Sequence, residues 1–347
     1  MEPAPQVAQA SVQLWRRIHA GGVAALLLLS ACAASSASAP TRAPSAVSAE
    51  AEHGGAAQCR PTDIAALRFG LVVLGSAGGP RSWGRAGSSY VVVVGGVPRV
   101  LIDVGPGTFL RLGEMEIDLQ ALDLVLLTHL HVDHSGDLPG FVLARAVAGN
   151  GPITFRIAGP AGAGLYPSTT DFVERLFGSQ GAFAHVPTFT QNHVRFDVTE
   201  LPTSMTADAR VVVKDDGFSV SAISVDHADV PALAYRVEHG GHGLVVSGDL
   251  ASKNDNLVKL AAGTDLLVYD TAVMDPPEST EALYELHTTP QRIGEVASQA
   301  RVGSLLLSHV TGRVHDHAGE VMRSVQAGFN GEVRFAHDCM TIELDAH

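Results

Sequence analysis

The sequence predicts an α/β protein in which two mixed β-sheets pack face to face between two layers of helices. From residue 67 onward, short apolar runs rich in Val, Leu and Ile alternate with Gly, Pro and Asp, a pattern typical of strands separated by turns. Helical stretches fall between these runs, and the series of strands and helices occurs twice along the chain. Because the runs are mostly continuous in apolar residues, we expect helices to cover the sheets.

The elements are assigned from these runs in chain order. The predicted strands cover residues 67–74, 90–94, 99–103, 122–128, 218–225, 232–238, 244–247, 266–269, 304–308, 332–336 and 340–344. The predicted helices cover residues 107–115, 137–147, 171–178, 253–262, 290–301 and 319–327. The helix at 290–301 has the clearest start, because Thr289 is a favourable N-cap and Pro290 occupies the first turn.

Composition argues against three broad classes of protein. The chain has 347 residues and is 46% hydrophobic, so it can bury a large core and is not globally disordered. Lys and Arg number 23 against 36 Asp and Glu, and this net charge of −13 argues against nucleic acid as the main partner. Three cysteines are too few for a disulfide scaffold, whereas 16 histidines point to a role for imidazole chemistry.

Residues 1–31 have the pattern of a secretory signal. Arg16 and Arg17 precede a short apolar run, and small residues follow it. The segment ending at Cys32 (Leu-Ser-Ala-Cys) resembles the lipobox of bacterial lipoproteins, which predicts that Cys32 is the lipid-modified first residue of an exported, membrane-anchored protein. The alternative is an ordinary signal peptide cut near Ala37 or Ala39, which would give a secreted protein.

The rest of the chain divides into a tether and one folded domain. Residues 32–62 are mostly Ala, Ser, Pro and Glu without a hydrophobic period, which predicts a flexible tether. Residues 63–347 form the domain, with an insertion of one or two helices expected at about 150–210. Cys59 and Cys339 lie near its two ends, so they either form a disulfide in an oxidising compartment or remain free thiols.

The strongest chemical signal follows the strand at 122–128. His129, His131, Asp133 and His134 lie within six residues of one another. In an extended segment the side chains of His129 and His131 point to the same side. A dense group of imidazole nitrogens and carboxylate oxygens suits a divalent transition metal.

This motif resembles the signature of the metallo-β-lactamase superfamily, and the turn at 101–105 (Leu-Ile-Asp-Val-Gly) fits it as well. The resemblance extends over about residues 67–345. It implies a four-layer αββα sandwich with a site for two metal ions at one edge, where the strand ends meet.

The same resemblance implies the remaining metal ligands, each after an apolar strand. His227 would join His129 and His131 at the first ion, His309 would join Asp133 and His134 at the second, and Asp249 would bridge the two. The expected cofactors are therefore two divalent ions, with Zn²⁺ as the first choice and Mn²⁺ or Fe as alternatives.

The segment Glu-Leu-His-Thr-Thr-Pro around His287 resembles ribonuclease Z and its secreted arylsulfatase-like relatives. In ribonuclease Z the corresponding His assists the leaving group, so His287 is the expected general acid. Asp270 stands where that family has a Glu and would orient His287. Arg85 lies in a loop resembling the arginine-containing loop of the same branch, and Arg85 and Arg313 are the candidate substrate-binding residues.

We therefore expect a hydrolase of a small phosphodiester or sulfate ester, in which a metal-bridging hydroxide attacks, Asp133 orients it and His287 protonates the leaving oxygen. Processing of tRNA is an alternative that the sequence disfavours, because ribonuclease Z holds tRNA with a basic arm. Region 150–210 has no Lys and carries four positive and five negative residues: Arg156, Arg175, Arg195 and Arg210 against Asp171, Glu174, Asp197, Glu200 and Asp208.

Two further classes of function stay open. One is a lactonase or β-lactamase-type hydrolase of acyl substrates, which would not need His287 as an acid. The other is a non-catalytic, lipid-anchored module that binds metal or a partner. The sequence leaves the substrate, the metal identity and the formation of a homo-oligomer undetermined.

Overall fold

The structure, a computed structural model, describes residues 59–344 except 80–83, 150, 190–192, 207 and 216. The predicted signal, the predicted lipidation site Cys32 and nearly all of the predicted tether lie outside the described residues. Among the described helices, none combines the length and the apolar character needed to cross a membrane.

The strands are numbered in chain order. They are β1 Phe69–Gly75, β2 Ser89–Val94, β3 Val97–Ile102, β4 Leu124–Leu126, β5 Thr154–Pro160, β6 Arg195–Leu201, β7 Arg210–Asp215, β8 Phe218–Val225, β9 Ala232–His239, β10 His242–Val246, β11 Leu266–Asp270, β12 Ser304–Ser308, β13 Glu332–Phe335 and β14 Met340–Glu343. The predicted strands agree with these within a few residues. The largest difference is at β4, which is shorter because the chain turns toward Asp103 at Thr128.

The helices are numbered in the same way. They are α1 Thr108–Glu114, α2 Val132–Ser135, α3 Leu138–Ala148, α4 Thr169–Phe177, α5 Val186–Phe189, α6 Asn256–Ala261, α7 Glu281–Leu286, α8 Pro290–Ala300, α9 Gly312–Asp316 and α10 Ala318–Gly328. The six predicted helices are all present, and the unpredicted ones are short: α2, α5, α7 and α9 have four to six residues each. Helices this short carry almost no hydrophobic period for a sequence pattern to reveal.

The strands form two seven-stranded sheets of matching design. The first has the order β14-β1-β2-β3-β4-β5-β6 and the second the order β13-β12-β11-β10-β9-β8-β7. In each sheet, one part is antiparallel and the other parallel: β3 to β6 are parallel in the first, and β10 to β13 in the second. Both sheets are therefore mixed, as the sequence predicted.

The core has three layers, which confirms the predicted sandwich. Leu71 and Val73 of β1 pack against residues of the second sheet, whereas their neighbours Val72 and Leu74 pack against helices α1 and α3. A third cluster joins the other face of the second sheet to α6, α8 and α10. Both sheets are thus apolar on both faces, which explains why their strands are continuous rather than alternating in sequence.

Region 150–210 is not an insertion of helices alone. It supplies β5 and β6 to the first sheet as well as α4 and α5. The sequence pattern hid β6 because that strand lies at the edge of the sheet, where charged residues alternate with partly buried ones. The region therefore extends the sandwich and does not form a separate arm in its described part.

The structure joins Cys59 and Cys339 in a disulfide with a Cα–Cα distance of 5.6 Å. Both cysteines pack against the core between the first sheet and its helices. The backbone N–H of Cys339 also donates to the Val73 carbonyl of β1 (2.7 Å). The bond therefore fixes the start of the described chain to the sheet edge formed by β14 and β1.

Candidate metal centre

The loop after β4 is held in place by a carboxylate from the loop after β3. Asp103 accepts hydrogen bonds from both the backbone N–H and the hydroxyl of Thr128, each 2.7 Å long. The same carboxylate lies 2.7 Å from Nδ1 of His134. These contacts fix the start and the end of the histidine-rich loop, which turns into α2 at Val132.

The structure brings together the four residues predicted for the first ion and its bridge. One ligand atom from each of His129, His131, His227 and Asp249 lies within 4.8 Å of the others. Nε2 of His129 is 3.0 Å from Nδ1 of His131, so both nitrogens face one point. Asp249 Oδ2 is 3.8 Å from His129 and 3.9 Å from His227.

The residues predicted for the second ion also converge. Asp133, His134 and His309 each offer a ligand atom within 4.8 Å of the others. Asp249 reaches this group as well: its carboxylate oxygens lie 3.3 Å from His134 Nε2 and 3.2 Å from His309 Nε2. Asp249 therefore lies between the two groups, where a bridging ligand must be.

The outer nitrogen of each histidine has its own neighbour. His227 Nδ1 donates to the Leu286 carbonyl (2.7 Å), and His309 Nδ1 lies 3.1 Å from an Asp270 oxygen. Across the five histidines the neighbours are the Thr128 hydroxyl for His129, the Tyr166 hydroxyl for His131, Asp103 for His134, the Leu286 carbonyl for His227 and Asp270 for His309. Such partners orient imidazoles toward a metal ion.

Several atoms at the centre are buried without a hydrogen-bond partner. They include Nε2 of His134, Nε2 of His227 and Oδ1 of Asp249. Burying polar atoms unsatisfied is costly, and divalent metal ions bind this set of nitrogens and carboxylate oxygens. The residues present therefore fit two divalent ions.

The electrostatics of the centre fit the same interpretation. Burial lowers the pKa of His227 to about 4 and holds the pKa of His129 well below its ordinary value, so both rings are neutral and able to bind a metal. Burial also lowers the pKa of His309, but attraction to Asp249 and hydrogen bonds with Asp133 and Asp270 raise it to about 10. The neighbouring carboxylates therefore favour a positive charge at His309, one of the residues predicted to bind the second ion.

His287 lies beside the two groups and pairs with Asp270. Its Nδ1 is 2.7 Å from Asp270 Oδ2, and its ring centroid is 5.5 Å from the rings of both His227 and His309. Asp270 is shorter than the Glu expected from the resemblance, yet it reaches His287 directly. Its other oxygen faces His309, so this carboxylate contacts both a candidate metal ligand and the candidate acid.

The two candidate substrate-binding arginines differ in their surroundings. Arg85 lines a cavity of about 500 Å³ together with His131, Asp133 and other residues, and its Nη1 donates to Ser76 Oγ (2.8 Å). Arg313 lies on α9 and forms an exposed ion pair with Glu278 (2.6 Å). The role of Arg313 in substrate binding stays a prediction.

Sequence reasoning missed two residues of the site. Asp103 was noted only as part of a turn, although a positive φ of 56° and a buried carboxylate now mark it as a residue that positions His134. Tyr166 lies in a segment without sequence signal and reaches His131 only through the fold, with 3.4 Å between its hydroxyl and Nε2.

Comparisons with known proteins agree with this geometry. Residues 98–310 match the family model described as "Beta-lactamase superfamily domain". Ribonuclease Z of Mycobacterium bovis (strain BCG / Pasteur 1173P2) is 29% identical over 272 residues, covering 75% of this chain and 92% of the relative. Ribonuclease Z of Mycobacterium sp. (strain KMS) is 31% identical over 237 residues, covering 65% of this chain and 78% of the relative.

A solved structure shares the fold. The crystal structure of human tRNase Z, short form, superimposes with a TM-score of 0.63 at 23% sequence identity. The match covers 79% of this chain and 98% of that structure. The two-sheet sandwich described above is therefore the architecture of that protein.

Proposed function

Because the chain belongs to the metallo-β-lactamase superfamily, we propose that it is a dinuclear metal-dependent hydrolase of phosphodiester bonds, similar to ribonuclease Z. One observation carries the proposal: Asp249 belongs to the group of His129, His131 and His227, and it also lies 3.3 and 3.2 Å from His134 and His309 of the second group. The buried His287–Asp270 pair lies beside both groups, and with Asp249 and His309 it forms a third set of side chains close enough to hold an ion. We assign His287 as the acid because Asp270 holds its Nδ1 at 2.7 Å, the arrangement of a carboxylate-oriented general acid.

The first ion would be held by His129, His131 and His227, and the second by Asp133, His134 and His309. When bound, two divalent ions supply water of lowered pKa and positive charge for the phosphoryl oxygens. Zn²⁺ is our first choice, because imidazole and carboxylate ligands in this number suit it.

The protein's own side chains would orient the reactants. The Gly79 N–H donates to Oδ2 of Asp133 (3.0 Å), which fixes this carboxylate next to His309. Asp270 holds Nδ1 of His287, so Nε2 of that ring is left to carry the proton given to the leaving oxygen. Arg85, on the wall of the neighbouring cavity, would contribute a positive charge near the phosphoryl group.

The names of the relatives change two expectations about the substrate. They favour a phosphodiester and give no support to a sulfate ester, so the latter is not proposed. They also count against the expectation that nucleic acid is not a partner. An RNA phosphodiester such as a tRNA 3′ end is therefore the second candidate substrate. Small phosphodiesters remain our first choice, because the described part of 150–210 builds the sandwich and carries no basic excess.

Hydrolysis assays with purified protein test the proposal. The protein, loaded in turn with Zn²⁺, Mn²⁺ and Fe²⁺, should hydrolyse bis(p-nitrophenyl) phosphate and not p-nitrophenyl sulfate. A tRNA precursor with a 3′ extension, assayed in parallel, separates the two phosphodiester candidates. Turnover of lactones or p-nitrophenyl acetate alone would favour the acyl hydrolase, and failure with every substrate despite full metal content would favour the non-catalytic module.

We also propose that the protein is exported and anchored by lipid at Cys32. The described disulfide between Cys59 and Cys339 supports an oxidising compartment. In membrane fractions, the wild-type protein should sediment with the envelope, and Cys32→Ser should release it or block its maturation. A cytosolic protein with free Cys59 and Cys339 thiols would contradict export.

A further inference from the structure

A tight turn at Ala163–Tyr166 lies beside the metal centre and supplies none of its ligands. The N–H groups of Ala163 and Tyr166 each donate to the other's carbonyl, at 3.2 and 3.0 Å. Gly164, at φ 58°, occupies the left-handed region that the turn needs and that glycine adopts without strain. The turn therefore has a defined shape of its own.

The chain on both sides of this turn is also anchored. The Ala161 N–H donates to the Leu201 carbonyl at the end of β6 (2.8 Å). On the other side, the buried Thr169 hydroxyl donates to the Pro160 carbonyl at the end of β5 (2.9 Å). A segment fixed at both ends loses little conformational entropy when it binds a ligand.

The turn places an aromatic side chain at the centre and leaves an apolar one exposed beside it in the chain. The Tyr166 hydroxyl lies 3.4 Å from His131 Nε2, and the two ring centroids are 5.8 Å apart. Leu165 is 99% exposed, and Val132, next to His131 in the chain, is 72% exposed. Single exposed apolar residues are ordinary, but here Leu165 adjoins Tyr166 and Val132 adjoins His131, the two residues whose rings are in contact.

Building on the phosphodiesterase function proposed above, we propose that Leu165 and Tyr166 form a subsite for a planar aromatic ring of the substrate. Residues 161–168 carry no charged side chain, so the turn suits an uncharged ring rather than a second phosphate. A half-buried tyrosine held by His131 offers a fixed surface for edge-to-face or offset stacking. Nucleobases and other aryl groups share this chemistry of recognition, and the substrates below distinguish them.

Three substrates with the same p-nitrophenolate leaving group test the subsite. The second ester group is methyl, phenyl or the 5′ carbon of thymidine, and kcat/KM is measured for each. The wild-type protein should favour the phenyl and thymidine esters over the methyl ester. Tyr166→Ala should reduce that preference by about fivefold or more, whereas Tyr166→Phe, which keeps the ring, should preserve it.

Two further variants serve as a graded test and a control. Leu165→Ser should reduce the preference for aromatic esters by a smaller factor. Val211→Ser removes an exposed apolar residue from β7, at the edge of the second sheet, and should leave the preference unchanged. A loss of preference for thymidine alone would identify the ring as a nucleobase, and an equal loss for both would identify a general aryl subsite.

The proposal is overturned if Tyr166→Ala slows all three substrates by the same factor and also leaves the relative affinities for phenyl phosphate and methyl phosphate unchanged, since Tyr166 would then act only through His131. If no phosphodiester is hydrolysed, the proposed function fails, but the subsite is still decided by calorimetry. Phenyl phosphate should then bind the wild-type protein more tightly than methyl phosphate, and Tyr166→Ala should remove the difference. Equal binding of both phosphates by the wild-type protein would contradict the subsite.

Discussion

The two sheets supply the metal centre in different ways. The first sheet contributes its ligands from one loop after β4, within six residues of sequence. The second sheet contributes His227, Asp249 and His309 from the loops after β8, β10 and β12, and the orienting residue Asp270 from the last position of β11. The half of the site that the first sheet supplies is therefore local in sequence. The half that the second sheet supplies is assembled by the order of its strands.

This difference follows from how the strands run. Strands β8 and β10 are both antiparallel to β9 and so run in one direction, and β11 and β12 are parallel to β10. Their C-terminal ends meet at one edge, which is where ligands bind in sheets of this kind. The positions of the side chains from the second sheet thus depend on the register of that whole sheet. The positions of the ligands from the first sheet depend on one loop and on Asp103.

The largest effect is expected from the ligand that joins the two halves. Asp249→Ala removes the carboxylate between four histidines, so metal content should fall from two ions to one or none and hydrolysis should fall to background. Metal analysis and the phosphodiester assay measure both. Glu238→Ala, which changes an exposed carboxylate on β9, is the matched control. Retention of two ions by Asp249→Ala would show that the three remaining ligands of each ion hold it without the shared carboxylate.

A smaller effect is expected from His287, which is proposed to donate a proton and not to bind metal. His287→Ala should keep both ions and slow hydrolysis by about 10²–10⁴-fold, the usual contribution of a general acid. The loss should be larger for an alkyl leaving group than for p-nitrophenolate, which needs little protonation. If metal content falls as far as it does in Asp249→Ala, His287 is a ligand and the assignment of its role is wrong.

The first half can be tested through the carboxylate that holds its loop. Asp103→Asn keeps the shape and tolerates the positive φ, but it removes the negative charge beside His134. The affinity for the second ion should fall by about 10–100-fold. Titration with a metal-sensitive dye measures this affinity. An unchanged affinity would mean that the loop holds its geometry without outside support, and would sharpen the contrast between the halves.

The smallest effect is expected in the pH dependence. Burial lowers the pKa of His287, but the Asp270 carboxylate raises it above its ordinary value. Only the protonated ring can donate a proton, so activity is retained below this pKa and lost as pH rises through it. Asp270→Asn removes the charge, lowers the pKa of His287 and should move the basic limb of the pH–kcat profile to lower pH. A limb that does not move would assign it to another group.

The agreement between sequence and structure follows the same division. The ligand loop at 129–134 could be predicted because its residues are adjacent and follow a buried strand. His227, Asp249 and His309 were predicted only through a family resemblance, since each alone is an ordinary polar residue after a strand. Arg85 and Arg313 stay predictions as substrate-binding residues: Arg85 lines the cavity beside His131 and Asp133, and Arg313 forms an exposed ion pair with Glu278.

The sequence by itself determined the class of fold, because continuous apolar strands and interspersed helices have few ways to bury both faces of a sheet. It also determined which residues form the first half of the site, because they are adjacent in one short loop. Only the tertiary structure decided that β5 and β6 belong to the sandwich, that Asp103 supports His134 and that Tyr166 reaches His131. Those contacts join residues far apart in the chain, and strand register, which no local pattern encodes, brings them together.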